Sequence, residues 1–191
     1  MTTSARSARP KQRHVHADIL LSTQWMSANL IIPEFQSIAD YLNTAGAFIK
    51  LTDAKARGLE PAAEFVAVQR AAISLIAPAA ADDRVETEGG GGITSPWRIA
   101  CLFDHGVLHG QLDFLVNMRL SDYLRQQTGF LVVREATWTP SEMAPAGASP
   151  APAGQWPVAL VNPARVLAIV EGQNPAGAGH PGRLAPTEWD L

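Results

Sequence analysis

The chain has 191 residues, of which 47% are hydrophobic and 17% are charged, and its formal net charge is −3. This length suits one or two small domains, and the apolar content is high enough to build a core in each. No apolar run has the length of a bilayer-spanning helix, and the first residues lack the hydrophobic stretch of a secretory signal. Cys101 is the single cysteine, so no disulfide partner exists within the chain. We therefore expect a cytoplasmic protein in a reducing compartment, without a membrane segment.

Two segments of the chain resemble each other without a gap at a constant offset of 82 residues. Residues 36–54 read QSIADYLNTAGAFIKLTDA, and residues 118–136 read MRLSDYLRQQTGFLVVREA. A second match, between VQRAAISLI at 68–76 and VNPARVLAI at 161–169, has an offset of 93. We therefore predict an internal duplication of one small domain, whose second copy carries 11 extra residues.

The duplication divides the chain into five parts with distinct compositions. In chain order we expect a basic flexible tail at 1–13, the first repeat at 14–80, a glycine-rich linker at 81–96, the second repeat at 97–171 and a flexible tail at 172–191. The extra residues of the second repeat fall in a Pro/Ala-rich stretch at 142–154, which predicts a long loop.

Each repeat begins with two strand-like runs that flank a turn. The turn is Ser22-Thr23-Gln24 in the first repeat and Asp104-His105-Gly106 in the second. Gly106 predicts a positive φ at the turn, and the pair of runs then forms a hairpin.

A short amphipathic helix follows, with apolar residues at positions i, i+3 and i+4. The repeat markers fall on this helix: Asp40, Tyr41 and Leu42 in the first repeat, and Asp122, Tyr123 and Leu124 in the second. We expect Ser37 and Asn117 to cap the helices at their N-termini, and Gly46 and Gly129 to end them.

The remaining apolar runs complete a β-β-α-β-β order in each repeat. A third strand is predicted at Phe48–Leu51 and Phe130–Val133, and the final runs, 65–76 and 158–170, are long enough to bend into two strands. Five short strands that curl into a barrel leave few exposed edges. The expected fold is therefore mainly β with short helices, in two tandem small barrels of Sm/SH3-like type that pack about a pseudo-twofold axis.

Two segments carry a family resemblance. Val107-Leu-His-Gly-Gln-Leu112 resembles the first-motif strand of the Sm-like small barrels, and Val68-Gln-Arg-Ala-Ala-Ile-Ser-Leu-Ile-Ala-Pro78 resembles the second motif of the Hfq type. The tandem is also similar to a bacterial domain family of unknown function, with a Leu-Ser-Asp-x-Leu-Asn helix before Phe-Leu-x-Leu-x-Asp-Ala. The Sm resemblance implies RNA binding, with Arg70 in the place of an RNA-contacting lysine. Gln69 and Ala71 replace the tyrosine and histidine of that motif.

The basic residues outside the Hfq-like motif lie on the N-terminal tail. The candidate nucleic-acid-binding residues are Arg6, Arg9, Lys11, Arg13 and Arg70. A basic arm of this kind either is simply solvated or makes electrostatic contact with nucleic acid or an acidic partner. A stacking platform with a basic groove, which single-stranded RNA requires, is not evident in either repeat.

Matched acids offer a weaker hypothesis of catalysis. Asp40 aligns with Asp122, and Asp53 with Glu135, so carboxylates from both repeats could form an acid/base pair between them. An aspartate in the first helical turn is more simply explained by its interaction with the helix dipole, and Tyr41 and Tyr123 by core packing.

The histidines occur as pairs, in the first strand and around the second hairpin turn, without a full set of metal ligands. We identify no phosphate-binding glycine loop and no nucleophile motif. We therefore expect no catalytic residue, no cofactor and no metal.

Aromatic residues are distributed unevenly between the repeats. Trp97, Trp138 and Trp156 belong to the second repeat, whereas Trp25 is the only tryptophan of the first. Such residues are common at protein interfaces, so the second repeat is expected to contact a partner or the first repeat. The sequence favours a non-enzymatic binding or scaffold protein that acts through protein partners or self-association. The alternative is an Sm-like RNA- or ssDNA-binding protein, and the least favoured hypothesis is an enzyme with a site between the repeats.

Overall fold

The computed structural model describes residues 11–22, 24–80, 84–85, 93–141 and 154–172. The first half contains β1 (Gln12–Leu21), β2 (Gln24–Pro33), α1 (Ile38–Thr44), β3 (Phe48–Ala56), β4 (Leu59–Gln69), a first 3₁₀ turn (Arg70–Ala72) and β5 (Ile73–Pro78). The second half contains β6 (Thr94–Phe103), β7 (Gly106–Leu115), α2 (Leu120–Gln126), β8 (Leu131–Pro140), β9 (Gln155–Val161), a second 3₁₀ turn (Pro163–Arg165) and β10 (Ala168–Glu171). The expectation of a mainly β protein with short helices is confirmed.

The predicted final run of each half bends into two strands at a 3₁₀ turn. β1 and β6 begin two and three residues before the predicted starts of the repeats. Most of the predicted tails, linker and loop, at 1–10, 81–83, 86–92, 142–153 and 173–191, lies outside the described residues.

The strands form one open antiparallel sheet in the order β10-β6-β7-β8-β9-β5-β1-β2-β3-β4. Within each half, the last strand pairs with the first, and the other strands follow in chain order. The pairings also keep the same register under the sequence offsets. Ile49 pairs with Val68 as Leu131 pairs with Val161, and Leu20 pairs with Leu75 as Leu102 pairs with Ala168.

The two halves join by antiparallel pairing of β5 with β9, with Leu75 opposite Val161 and Ile76 opposite Leu160. We call this contact the seam. β5 is the fifth strand of the first half, whereas β9 is the fourth strand of the second half. A pseudo-twofold axis would bring equivalent strands together, so that expectation was wrong.

Two hydrophobic cores lie along the sheet, and each draws residues from both halves. Phe130, Val158 and Leu160 of the second half are buried in the first core. Leu20, Trp25, Leu75 and Ala77 of the first half are buried in the second core. Burial of apolar area in shared clusters of this kind is the main favourable term that joins the two halves.

The helix ends differ from the sequence expectations, except at the start of α1. The Ser37 side chain accepts a hydrogen bond from the Asp40 amide at 3.0 Å, which confirms the predicted N-cap. In α2 the cap position is Arg119, whose side chain makes no capping hydrogen bond, so the prediction of Asn117 was wrong. The C-terminal caps are Ala45 and Gln127 in extended conformation, because both helices end before the expected glycines.

Gly106 is required for space rather than for a positive φ. The glycines with positive φ among the described residues are Gly58 and Gly154, so the predicted conformation was wrong. A Cβ on Gly106 would lie 2.6 Å from the Thr139 carbonyl oxygen and would also clash with the Trp138 ring. The second hairpin therefore needs glycine because its neighbour, β8, approaches closely.

Candidate interaction surfaces

Backbone and side-chain hydrogen bonds hold the seam together. The Asn162 amide donates to the Ser74 carbonyl oxygen at 3.0 Å, and its side-chain Nδ2 donates to the Ile73 carbonyl oxygen at 2.9 Å. Beside the strands, the Phe130 amide donates to Asn43 Oδ1 at 2.9 Å. The last turn of α1 is thereby joined to the start of β8.

Three tryptophans, one from the first half and two from the second, meet between the halves. Trp25 stacks on Trp156 with ring centroids 5.5 Å apart, and it meets Trp138 edge-on at 5.5 Å. Trp156 Nε1 also donates to Asp18 Oδ2 at 3.1 Å, in a buried bond between the halves. These tryptophans of the second half therefore contact the first half, one of the two roles expected for them.

The two outer strands of the sheet keep one side unpaired. Among the described residues, β4 pairs with β3 alone and β10 pairs with β6 alone. Unpaired strand edges present backbone N–H and C=O groups that can accept another strand, and natural proteins commonly protect them. We call these two strands the β4 edge and the β10 edge.

Large apolar side chains are exposed in and beside β4, whereas the matched residues of the second half are buried. Phe48 is 60% exposed, whereas Phe130, its counterpart at the offset of 82, is 7% exposed. Phe65 is 59% exposed, whereas Val158, its counterpart at the offset of 93, is 6% exposed. The difference arises because Phe130 and Val158 pack in the first core, to which both halves contribute, whereas Phe48 and Phe65 belong to neither core.

The β10 edge shows the same contrast. Leu167 and Val170 are 67% and 49% exposed, whereas their counterparts at the offset of 93, Ser74 and Ala77, are 3% and 0% exposed. Four of the eight large apolar residues that are exposed among the described residues, Phe48, Phe65, Leu167 and Val170, thus lie in or beside the two outer strands.

A groove of about 370 Å³ lies between the two 3₁₀ turns. It is lined by Arg70, Ala71, Gln127, Thr128, Gly129, Phe130, Asn162, Pro163 and Ala164. The structure thus brings Arg70 and Ala71 of the Hfq-like segment close to Pro163 and Ala164, their counterparts at the offset of 93. The Arg70 guanidinium, however, donates to the carbonyl oxygens of Leu42 and Asn43 at 3.1 and 3.3 Å. Arg70 therefore caps the C-terminal end of α1, where a cation is favourable.

Of the predicted basic residues, the structure describes Lys11, Arg13 and Arg70. Arg6 and Arg9 lie outside the described residues. Lys11 is exposed, and its carbonyl oxygen accepts from the Glu34 amide at 2.9 Å. Arg13 lies in β1 and donates to the Gln36 carbonyl oxygen at 3.2 Å, so its described contact is with the turn that precedes α1.

The matched acids of the two helices, Asp40 and Asp122, make the following contacts close to them in sequence. Asp40 accepts from the Ser37 hydroxyl at 2.7 Å, and Asp122 forms an ion pair with Arg125 at 3.3 Å. Both contacts stay within one helix and its cap, and they give no support to an acid/base pair between the halves.

The tyrosines and leucines among the repeat markers pack on the cores. Tyr41 packs against the first core, where burial raises the pKa of its hydroxyl although a backbone hydrogen bond at Lys50 opposes the change. Tyr123 stacks on Phe114 with centroids 5.3 Å apart. Leu42 is fully buried and Leu124 partly buried.

A polar arrangement on the sheet surface was not identified from sequence. In the first half, Ser27 and Asn29 contact the two ring nitrogens of His16 at 3.1 and 3.0 Å, and Asn29 Nδ2 donates to Asp53 Oδ2 at 2.8 Å. In the second half, Gln111 donates to Glu135. Asp53 and Glu135 have φ values of 53° and 49° at matching register shifts of β3 and β8. The alignment of these two acids was the available sequence signal, but a bulge cannot be read from an alignment.

The remaining titratable groups do not converge. Among the described residues, no cluster of three or more His, Cys, Asp or Glu could hold a metal ion. His105 is buried, and its Nε2 contacts the Ser22 carbonyl oxygen across the seam. Burial raises the pKa of the Cys101 thiol to about 12, so it remains protonated and unreactive at neutral pH.

Comparison with known proteins gave no match to any family model, curated protein or solved structure. Within the described part of the chain, neither helix has the length and hydrophobicity needed to cross a membrane.

Proposed function

We propose that the protein is a non-enzymatic binding or scaffold module that acts through protein–protein contacts at its two outer sheet edges. The observation that carries this proposal is the exposure of Phe65 in β4 and Val170 in β10, which pair on one side only among the described residues. Phe48 in β3, beside β4, and Leu167, directly before β10, are also exposed, while the counterparts of all four residues are buried. A strand added to such an edge gains backbone hydrogen bonds along its length and side-chain contacts at alternate positions.

Covering the exposed phenylalanines contributes favourably to association. Phe48 and Phe65 each expose roughly 100 Å² of ring and backbone surface. Covering that area contributes roughly 2–3 kcal/mol for each residue. Both residues therefore have the size and position of interface anchors, a role in which buried aromatic side chains predominate.

We further propose that the halves are two copies of an Sm-like small barrel. Three features support this proposal: the shared element order, the matched registers, and a 3₁₀ turn before the last strand of each half. The Sm resemblance by itself carries no activity, because one fold hosts many functions.

Binding of RNA or ssDNA is the second candidate. The groove between the 3₁₀ turns, which gathers Arg70 and Asn162, favours it. The engagement of Arg70 by the carbonyl oxygens of α1 weighs against it, because that guanidinium is not directed to a ligand.

Tagged chains expressed in the cells of origin test the protein-binding proposal. The wild-type chain is compared with Phe65→Lys at the β4 edge and Leu167→Lys at the β10 edge. Phe35→Lys is the matched control, since Phe35 is 82% exposed but lies in the turn after β2. We expect co-purifying proteins, including untagged copies of the chain, to be lost in the edge variants and retained in the control. Equal recovery in all four preparations would contradict the proposal, and co-purified nucleic acid lost in Arg70→Gln would favour the alternative.

A further inference from the structure

The seam inside one chain joins two non-equivalent strands, and the counterpart of each has a single pairing partner in the described part of the chain. β5 of the first half corresponds to β10 of the second, and β9 of the second half corresponds to β4 of the first. β10 and β4 are the two ends of the ten-stranded sheet. Each molecule therefore carries both partners of a second seam, one at each end of its sheet.

We infer that chains assemble head to tail, with β10 of one molecule pairing antiparallel with β4 of the next, as β5 pairs with β9 within the chain. This inference rests on the proposed function and names a second copy of the chain as the occupant of both edges. The exposed apolar residues fit this inference. Phe48 and Phe65 lie beside and in β4, while Leu167 and Val170 lie beside and in β10.

The seam also specifies the register of the contact between molecules. Its pairs are Leu75 with Val161 and Ile76 with Leu160. The β5 residues are moved forward by 93 positions and the β9 residues are moved back by 93. The expected pairs are then Ala168 with Val68 and Ile169 with Ala67 of the next molecule.

The polar groups at the end of the seam have a counterpart as well. Gln69 occupies the place of Asn162, whose backbone and side-chain amides donate to the Ser74 and Ile73 carbonyl oxygens. Gln69 carries the same two donor types and is exposed at the end of β4. It is therefore placed to donate to the corresponding carbonyl oxygens that precede β10 of a neighbouring molecule.

Several contacts between the halves have no counterpart at the outer edges, because Trp25, Asn43 and Trp156 correspond to Val107, Arg125 and Ala63. The buried bond from Trp156 to Asp18 would fall on Ala63 and Ala100, which carry no polar side chain. The contact between molecules therefore lacks a charge-assisted bond that the seam has, and we expect assembly to depend on protein concentration.

The symmetry of the assembly follows from the two different edges. An interface between non-equivalent surfaces generates a ring if the rotation closes, and an open filament if it does not. A dimer that pairs β4 with β4, or β10 with β10, is excluded by this geometry, because those strands are equivalent.

A mixing experiment distinguishes a head-to-tail contact from other forms of self-association. Phe65→Lys blocks the β4 edge and leaves the β10 edge intact, whereas Val170→Lys blocks the β10 edge and leaves the β4 edge intact. By light scattering, each variant alone is expected to have the single-chain mass of 20.4 kDa. An equal mixture is expected to give a discrete 1:1 pair at twice that mass, while Phe35→Lys assembles like the wild type. Both substituted positions are exposed, and far-UV circular dichroism checks that the β-structure is retained.

Disulfide trapping tests the register. The bond from the Asn162 amide to the Ser74 carbonyl makes that pair hydrogen-bonded, so the next pair, Leu75 with Val161, is a non-hydrogen-bonded one with closely spaced Cα atoms. We expect oxidation of a mixture of Ala168→Cys and Val68→Cys chains to give a cross-linked pair. Glu64→Cys replaces Val68→Cys in the control, since four residues along a strand displace the thiol by roughly 13 Å. Both chains also carry Cys101→Ala, because Val68 is buried like Cys101 and burial alone would not separate the two thiols.

Each result of these experiments decides the inference. A pair in the Ala168→Cys and Val68→Cys mixture, absent in the control, would support head-to-tail assembly. Cross-linking of Ala168→Cys chains alone would indicate twofold pairing and overturn it. Single-chain masses in every mixture would also overturn it, whereas a different protein retained at the edges by the wild type and lost in Phe65→Lys would leave the proposed function standing.

Discussion

The buried hydrogen bond between Trp156 and Asp18 is one contact between the halves whose contribution to stability can be measured. Trp156→Phe removes the Nε1 donor that lies 3.1 Å from Asp18 Oδ2, and it leaves that buried carboxylate oxygen without this partner. Loss of a hydrogen bond to a buried charged group reduces stability by roughly 1.5–3 kcal/mol. The smaller ring also loses part of its stacking on Trp25, for about 1 kcal/mol more. We therefore expect the free energy of unfolding to fall by about 3 kcal/mol.

Urea unfolding followed by circular dichroism measures this change, and a second substitution isolates its polar part. Asp18→Val destabilises the wild type because it leaves the indole N–H unpaired. The same substitution in Trp156→Phe removes the orphaned carboxylate, so we expect it to recover about 1 kcal/mol. A decrease below about 0.5 kcal/mol for Trp156→Phe, or additive effects of the two substitutions, would refute the assigned role of this bond.

Three further predictions concern other parts of the fold. Because the Cys101 thiol has a pKa of about 12 in the folded chain and an ordinary value of 9.0 when exposed, folding stability should fall as pH rises from 9.0 to about 12. In urea titrations at several pH values, Cys101→Ala should reduce this loss of stability. If stability fell as steeply with pH in the variant, ionisation of Cys101 would not be the cause. Gly110→Ala should lower stability by about 1–3 kcal/mol in thermal unfolding, since a Cβ there would lie 2.7 Å from a backbone oxygen of β8. Gly46→Ala is the control and should change stability little, because no atom lies within 4 Å of a Cβ at that position. Arg70→Gln should lower stability by about 1 kcal/mol through loss of the α1 cap; unchanged stability with weakened binding of an oligoribonucleotide would instead favour a nucleic-acid site.

The order of elements could be predicted from the sequence because it depends on local patterns. Apolar residues at i, i+3 and i+4 gave both helices, and Ser37 supplied a local cap that needs no tertiary contact. The final runs were long enough to predict two strands, although the 3₁₀ turns that divide them were not expected. The matched segments also placed corresponding strands at the same offsets.

The pairing between the halves could not be predicted, because it depends on contacts between residues far apart in sequence. Nothing local to β5 or β9 selects one as the partner of the other, and equally good edges exist at β4 and β10. The role of Gly106 was misjudged for the same reason, since the space it leaves is filled by residues of β8. The hydrogen bonds of Arg70 could not be predicted either, because the carbonyl oxygens of Leu42 and Asn43 come near it only in the folded chain.

We propose that the outer edges of the sheet bind protein, and specifically another copy of the chain. Light scattering coupled to size-exclusion chromatography over a dilution series tests it most directly, with the 260/280 nm absorbance ratio recorded in each peak. We predict masses that exceed 20.4 kDa by whole multiples and fall on dilution, in peaks free of nucleic acid. A constant mass of 20.4 kDa at every concentration would contradict self-assembly, and a peak rich in nucleic acid would favour the RNA-binding alternative.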